Sequence, residues 1–233
     1  MSSADHGTGT MAIRQDLHTG QVGTKIYPLL RQTTLRSFLN EEQLRDLQEF
    51  CERLDRRPGV TLYRQGEKAE ALYLVGGGSV ELRARPPGRR VYRTVEMVGE
   101  GCTVGDEASM GEDQYLTSAR TRDQSELLRF SAANLERLMN TRHDIAIGLL
   151  RCGGSCLVRM IRRSAILTQA PAGVALELLL RELSEQDGPV VKITHAQLAG
   201  LLHLSRETVS RLLGQMAASG SIELSRGAVK LTS

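Results

Sequence analysis

Tryptophan is absent, and aromatic residues of all kinds make up 3% of the 233 residues. This scarcity argues against a surface that stacks unpaired bases on rings, as single-strand and RNA binders use, and favours reading of a duplex. Cysteine is sparse too. The four thiols, Cys51, Cys102, Cys152 and Cys156, are too scattered for a secreted disulfide framework and lack the CxxC spacing of a zinc site, so reduced thiols are expected. No run of about 18 apolar residues occurs and the N-terminus lacks a signal-peptide layout, so neither membrane insertion nor export is indicated. A cytoplasmic location is the default expectation. Charge of one sign does not dominate either. The formal net charge is +3, so any affinity for nucleic acid has to come from where the cations sit.

What is present is most specific near the C-terminus. Thr194 is suited to cap a first helix carrying Leu198, Leu201 and Leu202, because its hydroxyl can accept from an N–H of the first turn that has no helical partner. His203-Leu204 forms a short turn. Ser205 can cap a second helix, on which Val209, Leu212, Leu213 and Met216 form the apolar stripe. Arg206, Glu207, Ser210 and Arg211 remain on the outward side, with Thr208 among them. Helical spacing of three and four residues puts Glu207, Ser210 and Arg211 on one face. A helix of this width fits the major groove, where arginine can donate to guanine O6 and N7 and glutamate can accept from cytosine N4. An ordinary helical hairpin with a charged, solvated face is the competing reading. The residues after Gly220 weigh against it. Ser221 to Leu224 and Ala228 to Leu231 alternate around the turn Ser225-Arg226-Gly227, which predicts a hairpin wing. With a helix over 174–183 in front, residues 169–233 are expected to form a winged helix-turn-helix.

Residues 1–24 have the composition of a mobile tail. Asn40 is placed to cap a helix from Glu41 to Leu54. From Pro58 the period changes to that of short strands: Val60 to Tyr63, Ala71 to Val75, Ser79 to Arg83, Val91 to Val95, Tyr115 to Thr121 and Ser125 to Phe130. Gly76 to Gly78, Pro86-Pro87-Gly88 and Gly99 to Gly101 punctuate them as turns rather than as a nucleotide loop, which needs a long helix to follow. Residues 25–133 thus read as a β-roll with a helical lead-in. A long helix is expected from about Asn134 to Leu167, filling the segment 134–168. Its Leu149, Leu150, Leu157, Met160, Ile161, Ile166 and Leu167 supply more apolar surface than a solvated helix needs, while Arg151, Arg159, Arg162 and Arg163 keep other faces wet. Gly153-Gly154 in its middle costs about 1 kcal/mol per glycine relative to alanine, which close approach of a second helix would offset. Leu149, Leu150, Gly153, Leu157, Met160 and Ile161 are therefore the expected dimer contacts. A two-fold dimer would hold its reading helices about 34 Å apart, one turn of DNA. The fold class is α+β.

The order β-roll, long helix, winged helix resembles the cyclic-AMP receptor protein and fumarate-nitrate regulator (CRP/FNR) family of bacterial transcription factors. The most specific residues are Leu62 to Tyr73 with Gly78-Ser79-Val80 in the roll, and Ser205 to Arg211 in the reading helix. The resemblance implies a homodimer on double-stranded DNA, with RNA polymerase as a protein partner. It puts Arg206, Glu207 and Arg211 where that family reads half-sites of the TGTGA or TTGAT type. Ser210 matches the fumarate-nitrate branch and Arg206 the cyclic-AMP branch, so the half-site stays open.

The effector pocket departs from the family pattern. In the cyclic-AMP branch a Gly-Glu pair holds the ribose and an Arg-Ser pair some ten residues on holds the cyclic phosphate. Here the first pair is Gly105-Asp106, followed by Glu107, and the second falls on Leu116-Thr117. Leucine cannot donate to an anion, and a phosphate buried without its cation is costly. Arg120 lies four residues on, roughly 13 Å along a strand. Met160 and Ile161 fall where the family meets adenine with hydroxyls. Cyclic AMP is therefore not the expected ligand: the roll senses something less anionic or needs no small ligand. Two other cofactors have candidate ligands in the sequence. Cys152 and Cys156, one helical turn apart, could gather in a dimer around a metal or redox bridge, although small residues filling a tight helix crossing explain them more simply. The four-cysteine pattern of iron-sulfur members is missing. His143 could ligate haem, against the plainer reading of a surface histidine. A regulatory roll acting on a protein partner, with a vestigial helix-turn-helix, is the alternative function. No catalytic arrangement can be named, so an enzyme is not expected.

Overall fold

The computed structural model describes residues 26–85, 88 and 91–232, without the side chains of residues 159, 162, 163, 166–168, 186 and 187. The expected tail at 1–24, Pro86-Pro87 of one turn, and the side chains of Arg159, Arg162, Arg163, Ile166 and Leu167 lie outside what is described.

Helices α1 (Ile26–Gln32) and α2 (Glu41–Leu47) lead into the roll. Asn40 caps α2 as its sequence suggests, in a reciprocal box with Gln43. The expected continuation to Leu54 does not occur. After a 3-10 turn at Gln48–Phe50 the chain enters β1 (Glu52–Arg56), where Leu54 pairs with Leu127. Pairing with a strand some seventy residues away overrides the local helical spacing.

The roll is made of β2 (Thr61–Tyr63), β3 (Ala71–Gly77), β4 (Val80–Ala84), β5 (Arg93–Val98), β6 (Thr103–Val104), the short helix α3 (Glu107–Met110), β7 (Ser118–Thr121) and β8 (Ser125–Ser131). Two four-stranded antiparallel sheets result, in the orders β1-β8-β3-β6 and β2-β7-β4-β5. Strand β3 is buried on both faces, which its uninterrupted apolar run requires. Ala71, Tyr73 and Val75 point into the roll with Val80, Val98, Ala119 and Leu127. Leu72 and Leu74 point the other way, joining Leu128 and Phe130 under the helices. Each such apolar side chain taken fully from water stabilises the fold by about 1.5–3 kcal/mol.

The single long helix expected from Asn134 is two helices, α4 (Ala132–Thr141) and α5 (His143–Gln169). The break is at Arg142, whose backbone (φ −133°, ψ 64°) leaves the helical region. Its guanidinium bonds to Asp46 on α2 and to Asp144, which in turn accepts from Gln43. The Arg142 guanidinium, then Gln43, hold the Asp144 carboxyl well below the usual carboxylate range. A clamp from α2 thus sets the point where the chain turns into α5.

α6 (Ala172–Asp187), β9 (Val190–Val191), α7 (His195–Leu201), α8 (Arg206–Ala218), β10 (Ile222–Ser225) and β11 (Ala228–Leu231) form the C-terminal unit. The predicted wing is present, with Ile222 opposite Leu231 and Ser225 opposite Ala228. Strand β9, unforeseen, adds Val191 beside Val229. Leu176, Leu179, Leu198, Val209, Leu213 and Ile222 share one core, and Met97 of β5 belongs to it. The two units touch directly. Gly200 of α7 packs so closely on β5 that a Cβ there would lie 2.6 Å from the Thr94 carbonyl oxygen.

Candidate DNA-reading helix and effector pocket

Both N-caps of the helix-turn-helix form. The Thr194 hydroxyl accepts from Gln197 N and the Gln197 side chain returns to Thr194 N. The Ser205 hydroxyl accepts from Thr208 N at 3.1 Å. His203 turns the chain at φ 55°, a conformation rare for a residue with a Cβ. His195 Nδ1 lies 2.8 Å from Ser210 Oγ, tying α7 to α8. Arg206, Glu207 and Arg211 are exposed together on α8. Neither arginine is in an ion pair among the described residues. Ser210, expected beside them, is half-buried and held by His195, while Thr208 is half-buried with its hydroxyl 3.0 Å from Ser205 Oγ. The Glu207 carboxyl is held below the usual range, first by its own backbone N–H and then by the Ser205 hydroxyl. It is therefore an anion at neutral pH, able to accept but not donate.

Gly105 (φ 79°) has no room for a Cβ, which would meet the Ala71 carbonyl at 2.7 Å. Asp106 accepts from the Thr103 hydroxyl at 2.6 Å, and burial pushes its carboxyl up. Glu107 Oε1 accepts from Leu116 N at 2.9 Å. A carboxylate of the same chain thus takes the Leu116 amide. The Leu116 side chain is 67% exposed. Thr117 is half-buried. Arg120 donates to the Gly59 carbonyl at 2.8 Å and is committed there. Sequence reasoning missed the roll's filling. Tyr63 stacks on Tyr115 with ring centres 3.8 Å apart, Tyr73 lies 6.0 Å from Tyr63, and Tyr115 Oη exchanges hydrogen bonds with both Ala71 backbone groups. Burial raises the phenols of Tyr63 and Tyr115. None of Gly105, Asp106, Glu107, Leu116 and Thr117 carries a cation.

On α5, Ile147, Leu150, Leu157, Val158 and Ile161 are between 50% and 73% exposed, and Met160 is 40% exposed. Leu149 instead packs on the core beneath the roll. Among the described residues nothing lies within 4 Å of where a Cβ of Gly153 or Gly154 would sit. Cys152 and Cys156 are not on the exposed stripe. They are buried against the loop carrying Gly101 and Cys102. They face their own roll, because the loop after β5 packs on that side of α5. His143 is exposed at the start of α5, and among the described residues no group of three or more His, Cys, Asp or Glu is arranged to hold a metal ion.

The cyclic nucleotide-binding domain family matches residues 54–142, and the Crp-like helix-turn-helix domain family matches residues 175–233. The cyclic AMP receptor protein of Thermus thermophilus is 32% identical over 184 residues, which are 74% of this chain and 80% of that protein. The chain belongs to the CRP/FNR family of transcriptional regulators. Its family members are regulators, not enzymes. A CRP-like cAMP-activated global transcriptional regulator of Mycobacterium tuberculosis is 28% identical over 71% of this chain and 77% of its own length. Among solved structures, the c-di-GMP responsive global regulator CLP of Xanthomonas campestris superposes with a TM-score of 0.70 at 23% identity. It covers 83% of this chain and all of that one, a likeness of fold. FixK2 of Bradyrhizobium japonicum reaches 0.65 at 18% identity, over 78% and 93%. The α+β architecture of antiparallel roll, helices and C-terminal helix-turn-helix is thus the family's, and no described helix is long and apolar enough to cross a membrane.

Proposed function

We propose that this CRP/FNR member acts as a homodimer that reads a palindromic DNA site with α8, and that its roll does not take cyclic AMP. The observation that carries the reading is the capped α8, which leaves Arg206, Glu207 and Arg211 together in solvent. The guanidinium groups supply paired donors for guanine and the ionised Glu207 supplies the acceptor for cytosine N4. Thr194 and Ser205 hold the two helix starts, where backbone N–H groups suit phosphate oxygens. The apolar stripe of α5, with glycine in its middle, supports pairing with a second copy, which would present two reading helices to successive grooves. Residues 25–133, 134–168 and 169–233 then act as sensing, dimer and DNA-binding segments, with RNA polymerase as the partner on the promoter. Any effector works by shifting populations and needs different affinities for the two arrangements.

The exclusion of cyclic AMP rests on Glu107 filling the Leu116 amide and on the exposed leucine where the phosphate needs a cation. Retardation of duplexes carrying TGTGA or TTGAT palindromes, with random duplex as competitor, tests the first part. No preference for either palindrome would refute it. Calorimetric titration with cyclic AMP tests the second, and micromolar or tighter binding would refute that.

A further inference from the structure

One cluster on the molecule is unused by DNA reading. Cys156 Sγ on α5 and Cys102 Sγ on the loop between β5 and β6 lie 2.7 Å apart, close to the roughly 2.0 Å of a disulfide. Both ends are held by their surroundings. Gly101 N and the Cys102 carbonyl are bonded to the two backbone groups of Val75, so the loop is fixed to β3. The Gly101 carbonyl accepts from the Thr34 hydroxyl at 2.6 Å and is approached by Cys152 Sγ at 3.5 Å and Cys156 Sγ at 3.9 Å, so the loop is also seated on α5. Cys102 is half-buried and therefore reachable, whereas Cys152 and Cys156 are 0% and 8% exposed. Cys51 lies elsewhere, in the core under the helices.

From this placement we infer that Cys102 and Cys156 are a reversible dithiol site, oxidised to an intrachain disulfide that fastens α5 to the roll. Hydrogen peroxide is the oxidant. The Cys102 thiol attacks one peroxide oxygen, the O–O bond breaks, and a sulfenic acid and one water result. The Cys156 sulfur then attacks that sulfenic sulfur, its thiol proton leaving with the hydroxyl as a second water. Two electrons and two hydrogens pass from the thiols to the peroxide. Cys102 is the more exposed of the two thiols and Cys156 is buried, which assigns the first attack to Cys102. The bridge joins the helix expected to carry the dimer to the loop beside the effector pocket, and its formation does not depend on the DNA-reading proposal.

The test exposes the full chain, native, to hydrogen peroxide, then alkylates it under denaturing conditions with iodoacetamide. The expected result is alkylation of two of the four thiols and a peptide containing Cys102 joined to the 152–159 peptide. Fragment ions should place the bond at Cys156, and dithiothreitol should restore four alkylated thiols. Cys102→Ser and Cys156→Ser should each lose the bridge while Cys152→Ser keeps it. The wild-type peptide map decides the matter even if a variant fails to fold. Four alkylated thiols after oxidation, a terminal sulfinic acid with no bridge, a bond through Cys152, or a bond between two chains would each overturn the assignment.

Discussion

Gly200→Ala puts one methyl group between the DNA-binding unit and the roll. A Cβ at this position would sit 2.6 Å from Thr94 O, 3.0 Å from Thr94 Cβ and 3.1 Å from Thr94 N. Two of those three atoms are backbone within β5, so no rotamer change relieves the contact, and α7 must retreat from the strand. Overpacking of this kind costs about 1–3 kcal/mol. Against it stands the gain of replacing glycine inside a helix, about 1 kcal/mol. With backbone on the far side the cost should fall in its upper half, leaving a net loss of about 1–2 kcal/mol. For a chain of this size that corresponds to a fall of roughly 2–8 °C in the unfolding midpoint. Gly214→Ala on α8 is the control, because no described residue lies within 4 Å of where its Cβ would sit; it should raise the midpoint through helix propensity alone. Thermal unfolding followed by circular dichroism compares the two. If Gly200→Ala rises as Gly214→Ala does, α7 does not rest on β5 in solution and the reasoning fails.

Arg211→Ala should cost about 1–3 kcal/mol of preference for the specific site over random duplex, read by competition gel shift; equal loss on both duplexes would mean that Arg211 meets only phosphate. Ser205→Ala removes the α8 cap and should lower stability by about 0.5–2 kcal/mol in denaturant unfolding, with Ser205→Asn retaining most of it. Burial, then the Glu52 carboxylate, push the Cys51 thiol up to about 12 from 9.0. Its folded pKa is raised, so its contribution is complete below pH 9 and is lost as pH rises from 9 to 12, because the unfolded chain ionises first. The denaturation midpoint should fall through that window less steeply in Cys51→Ala; identical slopes would refute this. Leu157→Lys, placing a charge in the exposed stripe of α5, should convert a dimer to single chains in size-exclusion chromatography with light scattering, while an unchanged mass would remove that stripe from the interface.

The helix-turn-helix was legible because its determinants are local. Thr194 and Ser205 cap through residues three positions on, and the apolar spacing of Val209, Leu213 and Met216 follows one helix. The hairpin wing was legible for the same reason. What the residues did not disclose depends on partners far along the chain. The end of α4 is set by Arg142 reaching Asp46, 96 positions away. Strand β1 exists because β8 pairs with it. In the pocket, the leucine at position 116 is visible in the sequence, but the carboxylate of Glu107 taking its amide is not, since the two are nine positions apart across the end of a short helix. Likewise the Cys152–Cys156 spacing was noticed, yet the third thiol that gives it a partner sits 54 positions away from Cys156.

Two routes join the roll to the reading helix, and they constrain how a signal can pass. One is direct: α7 lies on β5, Met97 enters the C-terminal core, and Arg122 donates to the Lys192 carbonyl. The other runs through α5, which is gripped by the 99–102 loop at Cys152 and Cys156 and packs onward against α6. Because α8 is tied to α7 by the His195–Ser210 bond and by their shared core, the reading face cannot be re-aimed alone. Re-aiming it means either separating α7 from β5 or shifting the pair relative to α5. A change from one arrangement in a hundred to ninety-nine in a hundred requires about 5.5 kcal/mol of differential interaction. A small ligand without a phosphate contact has few ways to supply that within a roll already packed with tyrosine, whereas a covalent bond from the loop to α5 acts on the second route directly. If so, breaking the direct route with Gly200→Ala should leave formation of the Cys102–Cys156 bridge unchanged, and a bridge lost in that variant would show that the two routes are one.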